Sequence, residues 1–512
     1  MRGVWGVLGC VLAVACSHTE WQAHYYEPET GADVPDDAPF LKVHTRGGHV
    51  HVVERWRVEP EQRRVLGHGL EYDADRRLVS DGSQMIPFGD IVLIETNKPR
   101  TVINTGAPIL GVTTAVSMGT TVFCAASPKT CFGSCPTFYA ELEGEPTLLA
   151  EGFSASVARV LEETDVDSLH GVRAGGGHFD LEMRNEALET HFVRSARLLA
   201  LPVGEGPVMR SGAAFHRVGT PVAPKRCRGS EGNCREAVSA LDARAYASRT
   251  DPADLGAPEE ILLSFPAARG PRALVIAGRN SLVQTFLFYR FIALLGPDVG
   301  TWFAAVERGG DEVLRRALEM KERVAHIRVD VRTADGSWRE AGVYDEVGPI
   351  AQDVQLVPLP ETDGHQPLEV RLRLTRGYWK LDWVNVVDLG DRVSPLPLEP
   401  QAIVDARGHL GEELALATLR DPAEHLMTLP GDRYVIRYDV PPGEHALFLE
   451  SRGYYYEWQR ETWREHHDPV AALRFVMDPE GELRRLAPRY KRLEARAEEL
   501  FWSSRVGGGA GR

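Results

Sequence analysis

Polar and apolar residues alternate along Gly47-Gly-His49-Val-His51-Val-Val53-Glu-Arg-Trp56-Arg-Val58, and shorter runs of the same kind follow at 65–72, 78–79 and 91–95, divided by Asp/Ser/Gly turns. A period of two lines one face of a strand, so 41–100 is expected to be a small antiparallel β-domain. The run 101–128 then holds no charged residue. As a helix its 28 residues would reach about 42 Å, enough for a hydrocarbon core of roughly 30 Å. Six Thr, three Gly and Pro108 suit strands better. A buried hairpin or membrane-apposed segment is therefore the first expectation here, with a true span as the alternative.

Beyond this run, 137–142 and 147–151 read as a strand pair, 154–169 as a short acidic helix, and 179–183 and 189–201 as strands. The region 129–270 is thus expected to be α+β or mainly β, with 221–266 linker-like in its Pro, Gly and Asp content. In 271–325, Ala273-Leu-Val-Ile-Ala277 is a buried strand, Asn280 or Ser281 an N-cap, 282–295 an all-round apolar core helix and 301–325 an amphipathic stretch. Short strands with turn signals across 326–400 predict a β-sandwich. In 401–512 a helix at 410–419, a hairpin over 433–450 across Pro441-Pro-Gly443 and a charged helix at 483–504 complete the chain. The expected fold class is multidomain and mainly β with α+β parts: a small antiparallel N-terminal unit, a central α+β region, and a C-terminal sandwich with a helical tail.

Composition narrows the field. Hydrophobic content of 43% and charged content of 26% are those of a globular chain, and 512 residues allow two to four domains. A net charge of −15 argues against a nucleic-acid partner.

The first residues change the picture most. Met1-Arg2 precedes an uncharged stretch too short to span a bilayer, ending in Leu12-Ala13-Val14-Ala15-Cys16. This resembles the lipobox of bacterial lipoproteins. The resemblance implies residues 1–16 as the signal and its junction, with cleavage before Cys16 and acylation at Cys16; the polar, Pro/Asp-rich, aperiodic stretch 17–40 is expected to be a flexible tether. The resemblance further implies a membrane partner through the lipid anchor and, with Ser17 next, sorting to the outer membrane. An ordinary secretory signal with an incidental Cys16 is the alternative. Both place the domains in an oxidising compartment, where disulfides persist.

Cysteine spacing then matters. Cys131 and Cys135 flank Phe-Gly-Ser, and Cys227 and Cys234 bracket a Gly/Ser/Asn loop, so two local disulfides are expected. Cys124, in the apolar run, is left as the free thiol.

Two further resemblances concern the C-terminal half. Asp335-Gly-Ser-Trp338, Val354-Gln-Leu-Val-Pro358 and Arg373-Leu-Thr-Arg-Gly-Tyr-Trp379-Lys-Leu-Asp382-Trp383 make 326–390 similar to a galactose-binding-like jelly roll, which implies ligand binding or scaffolding. Leu429-Pro-Gly-Asp-Arg-Tyr-Val-Ile436, with the Pro-Pro-Gly turn, resembles the terminal module of bacterial FG-GAP/ASPIC-type surface proteins. Tyr454, Tyr455, Tyr456 and Trp458, with Trp463, are aromatics that could face a sugar or protein ligand, or pack the tail onto the sandwich.

Candidate chemistry is sparse. Gly152-Phe-Ser154-Ala-Ser156 lacks the closing Gly of a nucleophile elbow; Glu163, Asp165 and Asp167 lack the rest of an EF-hand; His49 and His51 share a strand face without companion ligands. Metal and cofactor are expected to be none. Three functional readings follow. The first is a non-catalytic envelope lipoprotein binding protein or carbohydrate; the second is an envelope hydrolase using acidic residues; the third is a thiol redox protein at Cys131 and Cys135.

Overall fold

A computed structural model describes residues 17–26, 34, 38–103, 135–204, 206–299, 302–303, 326–345, 348–361, 364–458, 463 and 466–506. Strands take 50% of the residues and helices 19%, in five sheets among the described residues. The mainly β, multidomain expectation holds.

The first sheet runs in the order Ser17–Tyr26, Ile91–Ile103, Leu41–Thr45, Val50–Glu59, Arg64–Tyr72, Leu78–Pro87, antiparallel throughout. The tether expected over 17–40 is corrected at its start, because Ser17 pairs with Ile103 and Tyr26 with Ile94 along an unbroken ladder. Thr19, Trp21, Tyr25 and Tyr26 are β-branched or aromatic, residue types that favour a strand.

This sheet is fastened to the rest of the chain through its second face. Phe40, Val50, Val52 and Tyr72 pack with Leu188, Leu429 and Trp458. His44 stacks on Trp458 at 3.5 Å, and Arg76 donates to the Tyr456 carbonyl at 3.2 Å. Lys42 and Glu95 are fully buried beside them, 3.1 Å apart. Burial alone would raise the Glu95 carboxyl, but Lys42 and His44 outweigh it and hold the value at about 2.

The second sheet (Ala402–Arg407, Arg433–Val440, Gly177–Arg184, Thr137–Leu142, Glu145–Glu151) faces the third (Leu396–Leu398, Glu189–Pro202, His445–Glu457, Glu163–Ala174). Phe138, Leu181 and Ile436 from one meet Leu198, Leu447 and Leu449 from the other, as inner faces of a sandwich should. Glu163–Ala174 corrects the helix expected at 154–169: only Arg159–Leu161 makes a short 3-10 turn there. The alternation in Thr164-Asp-Val-Asp-Ser-Leu169 suits a strand, and His445–Glu457 supplies the antiparallel ladder.

The fourth sheet (Ala214–Val218, Val208–Ser211, Asp353–Leu359, Arg272–Asn280, Trp379–Val393, Tyr246–Ala247) packs on the fifth (Gly232–Asn233, Arg226–Gly229, Pro258–Phe265, Leu368–Thr375, Ile327–Arg332, Trp338–Tyr344). Leu274, Ile276 and Val384 meet Ile261, Val329 and Leu372. Arg272–Asn280 is central and buried on both faces, which explains its unbroken apolar run. Here 221–266 is corrected from linker to sheet, since Pro258–Phe265 pairs with Leu368–Thr375 along eight positions.

The apolar Val283–Leu295 helix is core, as expected, although its N-cap is Leu282. Ser281 acts one step away, donating its hydroxyl to the Gly377 carbonyl at 2.7 Å. Helices Pro469–Met477, Pro479–Leu493 and Ala497–Ser503 join it: Phe291 lies 5.4 Å from Phe475, and Phe286 5.2 Å from Tyr490.

The Cys227–Cys234 disulfide forms, both residues buried at the sandwich core. The Cys131–Cys135 bridge does not: Cys135 is a free buried thiol. Cys16, Cys124, Cys131, the uncharged run from 104 to 128 and the stretch 304–325 lie outside the described residues. No helix among the described residues is long and apolar enough to cross a membrane.

Candidate functional site

The third and fourth sheets touch through Leu199, Phe448, Val208 and Phe215, whose rings at 215 and 448 lie 4.9 Å apart. Beside this apolar contact the two sheets diverge around a cleft of about 710 Å³. A cleft between packed layers with convergent polar groups is the physical form of a ligand site.

Each wall is placed by strand periodicity. Glu163, Asp165 and Asp167 stand at i, i+2 and i+4, so the strand turns all three to one face. Glu163 and Asp165 line the cleft, joined by Arg197 and Glu450 from neighbouring strands and by Arg210 and Asp345 opposite. Asp353 lies behind them, 2% exposed. Its carboxylate accepts Arg210 Nη2 at 2.7 Å, Gln355 Nε2 at 2.9 Å and the Ser168 backbone N–H at 2.9 Å. This last bond crosses from one sandwich to the other. Asp353 is the pin that sets the cleft's width.

Charge on the walls is partly spent internally. Arg197 donates to Glu450 and Arg210 to Asp353, which leaves Glu163, Asp165 and Asp345 as the acidic surface. Asp165 accepts the Phe153 N–H at 3.1 Å and the Val166 N–H at 2.9 Å. Its carboxyl is pushed up to about 6, first by burial and then by Asp353, with Arg210 opposing. Such a wall suits hydroxyl or amine donors.

A second polar cluster lies nearby, buried except at Ser154, which it shares with the cleft lining. Cys135 Sγ donates to Glu151 Oε2 at 3.5 Å and sits 3.2 Å from Ser154 Oγ, while its backbone N–H donates to Glu189 Oε2 at 3.2 Å. His191 Nε2 is 3.1 Å from Glu189 Oε2. Burial pushes the Cys135 thiol well up, with Glu151 adding to it, and drives His191 down to about 3. Glu151 rises to about 8 by burial, although the Ile350 N–H binds its Oε1 at 3.0 Å. A thiol held protonated is a poor nucleophile, which speaks against a redox role for Cys135.

The remaining sequence candidates are placed as follows. Tyr454, Tyr455, Tyr456 and Trp458 are 4, 2, 0 and 1% exposed, so their reading as ligand-facing aromatics is corrected. Tyr454 stacks on Phe192 at 4.7 Å, the Tyr455 hydroxyl donates to the Ser154 carbonyl at 3.1 Å, and Trp458 Nε1 donates to Thr190 Oγ1 at 2.7 Å. They pack the tail strand onto its neighbours. His49 lies 2.9 Å from Glu71 Oε1 and His51 2.6 Å from Gln84 Oε1, each engaged across the sheet. Among the described residues no group of three His, Cys, Asp or Glu is arranged to hold a metal ion. Sequence reasoning singled out Glu163 and Asp165 but missed Arg210, Asp345, Asp353 and Glu450. They are brought together by sheet packing, and no local spacing announces them.

No protein-family model matches the chain, and no curated protein sequence matches it. Among solved structures, a mutant VP2 protein of infectious bursal disease virus in T=1 particles aligns over 98% of this chain and 93% of its own, at 10% identity and a TM-score of 0.16. The secreted serine protease VesC from Vibrio cholerae aligns over 70% of this chain and 97% of its own, at 9% identity and a TM-score of 0.14. Likenesses of this size carry no argument about fold or activity.

Proposed function

We propose that this chain is a non-catalytic binding module of the bacterial cell envelope, anchored by lipid at Cys16, which holds a hydroxyl- or amine-bearing ligand in the cleft between its two sandwiches. The observation that carries the reading is the cleft itself, where Glu163 and Asp165 on one wall face Asp345 and a fixed Arg210–Asp353 pair on the other. The strands of 326–390 fall in the two facing sheets of one sandwich, completed by strands from 208–280, and this supports the galactose-binding-like resemblance, and with it a carbohydrate ligand. Lipobox residues Leu12 to Cys16 support the envelope location and outer-membrane anchoring.

The test is calorimetric titration of soluble peptidoglycan and polysaccharide fragments against the wild type and a Glu163→Gln/Asp165→Asn double variant. Saturable binding that weakens at least about tenfold in the variant is the expected result, the loss of two charge-assisted hydrogen bonds. Equal binding by both proteins would move the ligand elsewhere. Intact-mass analysis of membrane fractions from wild type and Cys16→Ser tests the anchor.

A second reading has its own observation. Asp165, raised to about 6, stands near Asp353, which Arg210 holds as an ion partner. A carboxyl that keeps its proton close to neutrality can serve as a general acid. An envelope hydrolase acting on glycan or peptide would use Asp165 as that acid.

A further inference from the structure

Far from the cleft, the helices Val283–Leu295, Pro469–Met477 and Pro479–Leu493 converge on the side chain of Arg290. Two carboxylates face it, and both are already engaged. Glu482 accepts from Arg485 through both its oxygens, at 3.0 Å each from Nε. Asp468 caps the Pro469–Met477 helix, accepting the Ala471 N–H at 2.9 Å. Arg489, one turn beyond Arg485, completes the group.

Among the described residues no carboxylate is hydrogen-bonded to either of the other two arginines, and Glu482 and Asp468 act on Arg290 only through space. Arg290 Nε and Nη1 and Arg489 Nη1 are buried atoms with no hydrogen-bond partner, and no ion pair involves either residue among the described residues. Burial, and then the charges of Arg489 and Arg485, bring the Arg290 guanidinium down to about 10. Arg489 is lowered likewise, by burial and then by Arg485 and Arg492. The contrast with Lys42 is direct, since that buried cation has its carboxylate in place. Unpaired buried N–H groups on like-charged neighbours are costly, and an anion with several acceptor oxygens would relieve both costs together. Arginine's planar fork matches phosphate geometry bidentately.

We propose that Arg290 and Arg489, backed by Arg485, form a binding site for a phosphate-type oxyanion at the junction of the three helices. A free phosphoryl compound and an anionic lipid headgroup share this chemistry. The Pro469–Met477 helix exposes Val470, Leu473 and Met477 at 65, 62 and 57%, an apolar face that only the lipid source would use.

The experiment is thermal unfolding of the full chain with increasing inorganic phosphate at ionic strength held constant with chloride, repeated for Arg290→Gln and Arg489→Gln. The wild type should gain several degrees in a saturable way, and each variant should lose that gain while unfolding, without phosphate, at or above the wild-type temperature. Sedimentation of the unacylated chain, in the Cys16→Ser background throughout, with phosphatidylcholine vesicles, with and without phosphatidylglycerol, separates the sources. Retention that needs phosphatidylglycerol and falls in Arg290→Gln assigns the headgroup; phosphate stabilisation without retention assigns a soluble phosphoryl compound. A wild type that gains nothing from phosphate and ignores both vesicles overturns the proposal. So does a gain that survives both substitutions, since phosphate then binds elsewhere.

Discussion

The cleft and the Cys135 cluster are built from the same kinds of side chain and meet on the strand Glu189–Pro202, and they differ in access and in the partners that answer their charge. Asp165 and Ser154 line the cleft, whereas Cys135, Glu151, Glu189 and His191 are buried between sheets. In the cluster, burial pushes the thiol and the Glu151 carboxyl up and the imidazole down, so each is driven toward its neutral form. In the cleft, Arg197 and Arg210 keep ion partners at hand. Clustered titratable groups mark a site only where a ligand can reach them.

The comparison can be broken at several points. Of the substitutions, removing the pin should cost most: Asp353→Ala takes away the acceptor shared by Arg210, Gln355 and the Ser168 N–H at the seam between the sandwiches, a loss of about 3 kcal/mol by urea unfolding. An unchanged midpoint would mean the sandwiches do not depend on that contact. Glu151 gives a pH signature of similar size. Its folded value of about 8 lies above the ordinary 4.5, so its contribution is complete below pH 4.5 and is lost as pH rises through 8. The fall should be on the order of 4 kcal/mol, and Glu151→Gln should flatten it.

Cutting the closed loop with Cys227→Ser should cost about 3 kcal/mol or less, read from the same unfolding curves under oxidising conditions. Asp165 should show the smallest effect on stability. Its contribution disappears as pH rises through about 6, so at pH 7 Asp165→Asn should stabilise by about 1–2 kcal/mol while weakening the cleft's ligand. Loss of stability instead would make Asp165 a structural cap for Phe153 rather than part of a binding wall.

How far the chain could be read in advance depended on whether the information was local. Period-two alternation located the strands around His49–Val58 and Arg433–Val440, and the all-round apolar pattern of 282–295 located a core helix. The acidic run at 163–167 misled, because negative charge near a turn reads as a helix start when the partner strand lies almost 300 residues away. Tyr454 to Tyr456 misled differently. Consecutive tyrosines on a strand point to alternate faces, and here both faces are covered. The cleft's Arg210, Asp353 and Glu450 depended on long-range packing alone, and single-chain spacing holds no trace of that.

The most direct test of the binding reading puts affinity and turnover in one experiment. Envelope glycan and peptide fragments are incubated with wild type and with Asp165→Asn, bound ligand is measured by calorimetry, and the recovered fragments are weighed by mass spectrometry. The account predicts saturable binding at the cleft, weakened by the substitution, with every fragment recovered intact. Fragments cleaved by the wild type and spared by Asp165→Asn would contradict it, and would make Asp165 the acid of a hydrolase.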